Sequence, residues 1–168
     1  MIKLSKPHER HEKAWHDIVE EIENAGEEMY PLALSWGLKS FDVYLKHTEE
    51  LSKGENLQEL VQADTYFLEE EDTILGAINI RWSLNAYLEN FGGHIGYGVR
   101  PSERNKGYAT LMLKLALVIC KQRGLSKVLV TCDEGNEASK KTILKCGGKY
   151  EDSRIFEGEV VERYWIEV

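Results

Sequence analysis

Apolar residues recur along this chain with two different periods, and the switches between them outline its elements. Between residues 8 and 24, Trp15, Ile18, Val19 and Ile22 share one helical face, with charge on the other. Pro7 suits the first turn of such a helix and Gly26 its end. Tyr30-Pro31 reads as a turn, and residues 41–51 as a second helix. Residues 65–68 and 74–82 carry strand patterning and predict a hairpin through the acidic turn Glu70-Glu71-Asp72. A loop bearing Asn85, Asn90 and Gly92-Gly93 leads to a strand at 94–99. Ala109, Met112, Ala116, Ile119 and Cys120 then follow helical spacing as far as about Arg123, with Gly124 as the stop. Residues 127–131 predict a buried strand, and 138–146 a short helix ended by Gly147-Gly148. Two last strands fit 149–156 and 160–166, turning at Glu157-Gly158, and residues 2–5 read as a short first strand. Strands and helices interleave with no repeat, low-complexity tract or linker, which predicts a single α/β domain over residues 1–168.

Composition narrows the function classes. A chain of 168 residues buries a real core, and 42% hydrophobic with 30% charged residues is ordinary for a globular domain. The net charge of −8, with acidic clusters at 20–23, 27–28 and 69–72, argues against nucleic acid as a partner. It is compatible with a cationic acceptor such as an amine, although acidic surfaces also simply keep proteins soluble. Cys120, Cys132 and Cys146 lie far apart, so neither a zinc site nor a disulfide framework is indicated, and no metal is expected. His8, His11 and His16 lack a completing carboxylate or thiol at ligand spacing. Free thiols, an N-terminus without a signal-peptide core and the absence of any run of ~20 apolar residues predict a cytoplasmic protein with no membrane partner.

The densest chemistry lies at Arg104-Asn105-Lys106-Gly107-Tyr108-Ala109. A strand, Ile95-Gly96-Tyr97-Gly98-Val99, precedes it and a helix follows. The first N–H groups of a helix have no partner within it and sit at the positive end of its dipole, so they can bind a phosphate. Gly107 permits close approach, and Arg104 and Lys106 add charge. By itself the pattern also fits an ordinary strand–turn–helix corner. It is not a nucleotide P-loop, since G-x-x-x-x-G-K-[ST] is missing, and G-x-G-x-x-G fails because its third position is Pro101.

From Gly96 to Ala109 the sequence resembles motif A of the GNAT superfamily of acetyl-CoA-dependent N-acetyltransferases. Asn136-Glu137-Ala138-Ser139, with Lys145-Cys146-Gly147-Gly148, resembles motif B. The two are separated by one helix and one strand, as in that superfamily. Arg81, Asn85 and Gly92-Gly93-His94-Ile95-Gly96-Tyr97 further resemble a bacterial subgroup of predicted acetyltransferases. The resemblance implies a GNAT fold: a central mixed, mostly antiparallel twisted sheet with helices on both faces. It divides the chain into an acceptor-side half (1–93), an acetyl-CoA-binding core (94–150) and C-terminal strands (151–168). It implies that backbone N–H groups of Asn105, Lys106, Gly107, Tyr108, Ala109 and Thr110, with Arg104, hold the pyrophosphate. Tyr97, Gly98 and Val99 would line the pantetheine arm, which adds like an extra strand, and Asn136 and Ser139 would lie beside it. Asn136 equally suits a helix N-cap. The cosubstrate implied is acetyl-CoA, and the acceptor an amine on a small molecule or peptide. Dimers are frequent in the family, and a homodimer is left open.

Acetyl transfer to an amine raises further requirements. An amine of pKa ~10.4 is neutral only about once in ~2500 molecules at pH 7, a cost of roughly 4–5 kcal/mol. A base or a water chain reduces it. The backbone N–H near Val99 is the natural donor to the developing oxyanion. The family's frequent Tyr acid falls here on Ile143, and its Glu base on Gly93, so neither usual side chain is present. His94 is the substitute base by position and pKa, or else a structural strand histidine. Tyr97, Tyr150 and Cys146 are candidate acids, and a thiolate also leaves tolerably without one. The missing pair keeps a second reading open, a domain that binds acetyl-CoA as a sensor or partner subunit. Tyr30, Arg81 and Asn85 are expected at the acceptor, where Arg81 could pair with a carboxylate. Glu27, Glu28, Trp36, Phe41 and Tyr44 are further candidates, the aromatic ones equally suited to core packing.

Overall fold

The hairpin around the acidic turn forms as β2 (Ala63–Glu70) and β3 (Thr73–Arg81). Their register runs from Ala63 opposite Arg81 to Glu70 opposite Thr73, with a bulge at Leu68/Glu69. The computed structural model describes residues 1–168. β1 (Ile2–Ser5) adds antiparallel to the outer edge of β2. On the other side β3 pairs antiparallel with β4 (Ile95–Val99). β5 (Lys127–Asp133) lies parallel to β4 and antiparallel to β7 (Glu159–Glu167). β6 (Lys149–Phe156) closes the far edge against β7. The sheet order is thus β1-β2-β3-β4-β5-β7-β6, with the β4–β5 pair as its one parallel seam. This is the mixed, mostly antiparallel α/β sheet that the sequence predicts.

Strand alternation sends successive side chains of β2 and β3 to opposite faces, and each face is buried by different helices. Phe67, Ile74 and Ala77 pack with α1 (Glu12–Asn24) and α2 (Phe41–Lys53). Leu68, Leu75, Ile78 and Ile80 pack beneath α3 (Tyr108–Gln122), through its Met112, Leu113 and Ala116. The short α4 (Glu137–Lys145) adds Ile143 to that second core. Each Leu, Ile, Phe or Met among them contributes about 1.5–3 kcal/mol when fully buried.

The entry to α1 differs from expectation. A 3-10 turn at Glu9–His11 comes first, and His8 caps it by accepting from Arg10 N–H at 3.2 Å. Pro7 therefore stands before the cap rather than in the first helical turn. The histidines have structural partners: His11 Nδ1 accepts from His8 N–H at 3.0 Å, and its Nε2 lies 2.7 Å from Glu69. No group of three or more His, Cys, Asp or Glu side chains is gathered at metal-ligand distance. No helix is long and apolar enough to cross a membrane.

Two buried side chains of the α1–α2 core shape the connection between these helices. Trp15 Nε1 donates to Leu34 O at 2.6 Å, and the Tyr44 hydroxyl to Ala33 O at 2.8 Å. They hold the segment that follows the cis Tyr30-Pro31 bond against the sheet. Phe41 and Tyr44 are core residues and do not line the cavity described below.

Candidate active site

β4 and β5 share one register pair, Ile95 opposite Val130. Just before it, His94 N–H donates to Leu129 O at 2.7 Å. Beyond it the strands part. Each keeps its other neighbour, since β4 stays paired to β3 along five residues and β5 to β7 along seven. The split is therefore confined to one seam.

The pairing rule decides which backbone groups face that opening. Arg81 N–H donates to His94 O at 2.7 Å and Arg100 N–H to Leu75 O at 2.9 Å. In an antiparallel ladder such bonding positions alternate. Gly96 and Gly98, like the His94 carbonyl and the Arg100 N–H, thus turn toward β3, while Tyr97 and Val99 turn their N–H and C=O toward the open side. Val99 O there accepts from Arg104 Nε at 3.2 Å.

The helix that follows opens at the same place. Gly107 is the N-cap of α3, with φ +83°, and no side chain caps the first turn. Asn105 also has positive φ, +64°. The left-handed backbone costs little at Gly and is tolerated by Asn. The first in-helix bond is Leu111 N–H to Gly107 O, so the N–H groups of Tyr108, Ala109 and Thr110 precede it without helical partners. All three residues line the same cavity as Tyr97, Gly98 and Val99.

The turn is fixed from outside. Glu21 of α1 accepts from Arg100 at 3.0 Å and from Ser102 N–H at 2.9 Å. Arg100 thus shapes the corner. The charge of the basic motif is already engaged: Arg104 pairs with Glu27 at 2.8 Å, and Lys106 with Glu103 at 2.7 Å. Lys106 does not line the cavity, whereas Arg104, Asn105 and Gly107 do.

α4 supplies the opposite wall. Asn136 is its N-cap, accepting from Ser139 N–H at 3.1 Å, and it lines the cavity as well, so cap and wall coexist. The Ser139 hydroxyl lies 2.9 Å from the Tyr97 hydroxyl. Burial pushes the Tyr97 phenol up to about 12, only partly offset by Ser139, so it is protonated at neutral pH.

The cavity has a volume of about 1300 Å³ and extends beneath the α1–α2 connection. Tyr30, Arg81 and Asn85 all reach it. Asn85 is partly committed to structure, since Oδ1 accepts from Leu88 N–H at 2.9 Å and Nδ2 donates to Glu59 O at 3.2 Å. It opens a π-helical turn at Leu88–Gly92, where the sequence predicts only loop. Trp36 lines the cavity too, but Glu28 does not, and Glu27 is taken by Arg104.

His94 requires a correction. It is buried, outside the cavity wall, and its Nδ1 accepts from Leu129 N–H at 2.8 Å. Burial, with a contribution from Arg81, pushes its pKa down to about 4. It is a neutral link between two strands, not a base facing the cleft. Gly93 has no room for the usual Glu, because a side chain there would stand 2.6 Å from Leu129 O. Ile143 is fully buried in the core. Tyr150 is bonded to Ser153 outside the cavity, and Cys146 also lies outside it. Burial raises the Cys146 thiol pKa.

Several wall residues went unread in the sequence. Asn79 is 1% exposed, and its Oδ1 has no partner. A lone amide within the apolar run 74–82 was the available signal. Glu59, Tyr87 and Asp133 also line the cavity, from stretches with no distinguishing pattern.

Comparison with known proteins agrees with this fold. The model of the acetyltransferase (GNAT) family matches residues 17–147. Among solved structures, the chain is similar to RimL, a ribosomal L7/L12 α-N-protein acetyltransferase in complex with coenzyme A. The two are 17% identical, with 99% of this chain and 94% of that one covered at a TM-score of 0.69. It is similar to the microcin C7 self-immunity acetyltransferase MccE in complex with acetyl-CoA and AMP (18% identity, 99% and 92% covered, TM-score 0.69). It is also similar to a chimera of the spermidine N-acetyltransferase SpeG from Vibrio cholerae (16% identity, 98% and 95% covered, TM-score 0.64). A sequence search of curated proteins gives no match.

Proposed function

The chain belongs to the acetyltransferase (GNAT) family, and we propose that it moves an acetyl group from acetyl-CoA to a primary amine by direct attack in a ternary complex. One observation carries this reading: the split β4–β5 seam and the uncapped N-terminus of α3 open into a single cavity. The pyrophosphate accepts from the N–H groups of Tyr108, Ala109 and Thr110, where the helix dipole favours negative charge. The pantetheine arm lies along β4 and pairs with the main-chain groups of Tyr97 and Val99. Asn136 and Ser139 flank the arm from α4.

Attack forms the bond from the amine nitrogen to the acetyl carbon and moves the carbonyl electrons onto oxygen. The Val99 N–H donates to that oxygen; removing one such donor typically costs about 10²–10³ in rate. Collapse breaks the carbon–sulfur bond, and the Tyr97 phenol donates to the departing sulfur. With His94 outside the wall, the ammonium proton leaves through water in the cavity, toward Glu59 or Asp133. The test is acceptor-dependent release of coenzyme A thiol across amines, amino acids and short peptides, corrected by an enzyme-only blank for the three cysteines. No release above blank, with acetyl-CoA bound, would overturn the enzymatic reading.

A further inference from the structure

Arg81 is a cation without a counterion. It takes part in no ion pair, although it stands on the wall of the same cavity of about 1300 Å³. Its Nη1 donates to Gly92 O at 3.2 Å and Gly93 O at 3.5 Å, the end of the π-helical turn. Nε and Nη2 have no protein acceptor. A guanidinium stays protonated in any such site, and its free edge presents two parallel donors, the fork that matches a carboxylate. Nearby, the buried Oδ1 of Asn79 is also unpartnered, as is the buried Nε1 of Trp36. Buried polar groups are rarely left unmatched. Two such atoms on one cavity, beside the free edge of Arg81, point to a ligand that completes them.

We propose that the acceptor is a free α-amino acid with an apolar or aromatic side chain, its carboxylate held by Arg81 and its amine directed along β4 toward Val99. This rests on the acetyl-transfer reading above. The register sets the order of groups. Arg81, Asn79 and Ala77 lie opposite His94, Gly96 and Gly98, so the series runs toward the transfer site. The guanidinium has swung along it, since a Cβ at Gly96 would lie 3.2 Å from Nη2. Over Gly98 that face is closed, because the Tyr30 carbonyl stands where a Cβ of Gly98 would be. The space beside Gly96 therefore suits a short acceptor, and in an α-amino acid the nitrogen stands only about 2.5 Å from the carboxyl carbon. A carboxylate bonded to Arg81 at about 2.8 Å leaves the amine for the unpartnered Oδ1 of Asn79. Tyr30, Trp36, Leu60, Val61, Tyr87 and Phe91 provide apolar wall for a side chain. Polyamines and peptide N-termini carry no α-carboxylate and would leave Arg81 unmatched.

The wild-type protein with acetyl-CoA is assayed against three acceptors: L-phenylalanine, L-phenylalaninamide and phenethylamine, and against the leucine counterparts. The amino acids should exceed their amides and descarboxy amines in kcat/KM by about 10- to 100-fold, despite the more easily deprotonated amine of the amides. Arg81→Gln should erase that gap chiefly through KM, and Arg81→Lys should restore part of it. In parallel, calorimetry on the coenzyme A-loaded wild-type protein compares N-acetyl-L-phenylalanine with its amide. Tighter binding of the acid supports the inference without any turnover or variant. Equal binding and equal rates, or a preference for the neutral compounds, would overturn it while leaving acetyl transfer intact. No acetylation of any acceptor would instead count against the acetyl-transfer reading, and the product-binding pair would still decide the role of Arg81.

Discussion

The hydroxyls of Tyr97 and Ser139 lie 2.9 Å apart and tie β4 to α4 where the sheet opens between β4 and β5. The contact borders the space proposed for the pantetheine arm and holds a protonated phenol beside it. Tyr97→Phe should lower kcat by about 10-fold or more, with little change in KM for acetyl-CoA. It should cost only about 1 kcal/mol of stability, the worth of one buried hydrogen bond. Steady-state kinetics beside a urea titration measures both. An unchanged kcat would remove Tyr97 as the acid.

Gly107 sits at φ +83°, and a Cβ added there would meet no atom within 4 Å, so a side chain at this position brings strain but no clash. Gly107→Glu brings a carboxylate to the uncapped α3 turn and should weaken acetyl-CoA binding by at least about 100-fold. Gly107→Asn accepts the left-handed backbone without the charge and should bind within a few-fold of wild type. Calorimetry with acetyl-CoA separates charge from strain. Equal affinity in both variants would refute the proposed phosphate cradle.

A methyl group at Gly98 would overlap the Tyr30 carbonyl, because the segment at the cis Tyr30-Pro31 bond lies directly on β4. Gly98→Ala should destabilise by about 1–3 kcal/mol, as overpacking does. It should also raise KM for the acceptor more than for acetyl-CoA, since the displaced segment lines the part of the cavity proposed for the acceptor. Thermal unfolding and two-substrate kinetics test this.

Acid should unfold the protein in two overlapping windows. His94 titrates near 4 when folded, against about 6.5 in an unfolded chain. The unfolded state therefore binds more protons between those values, and stability falls as pH drops through them. Burial alone would raise Glu69, but bonds from Arg10, Ser5 and His11 outweigh it and bring it down to about 2. Its contribution is complete above the unfolded carboxylate value near 4.5 and is lost as pH falls toward 2. Stability measured against pH in His94→Gln and Glu69→Gln should flatten each window separately.

The same geometry gives a kinetic expectation. With His94 neutral and outside the cavity, the rate should rise with pH along the acceptor's own amine titration, with no break between about pH 6 and 7. His94→Gln should preserve that profile. A break near about 6.5 that vanishes in this variant would return His94 to the role of base.

The chain's sequence determined its elements and the kind of chemistry at the 104–109 turn, because hydrophobic period, Gly stops and helix-start signals are local. The hairpin at Glu70-Glu71-Asp72, the long helix ending before Gly124 and the cap at Asn136 were all legible in this way. Family resemblance added the sheet type and the cavity-facing roles of Tyr97, Gly98 and Val99. Only the tertiary structure decided which groups are free to act. His94 lost its basic role because a backbone N–H thirty-five residues away occupies its Nδ1. Lys106 and Arg104 are matched by Glu103 and Glu27, whereas Arg81 bonds only backbone carbonyls and has no counterion. Pairing, burial and partnership are set by residues far apart in sequence, so the same side-chain type reads identically in the chain whether its charge is neutralised or left for a ligand.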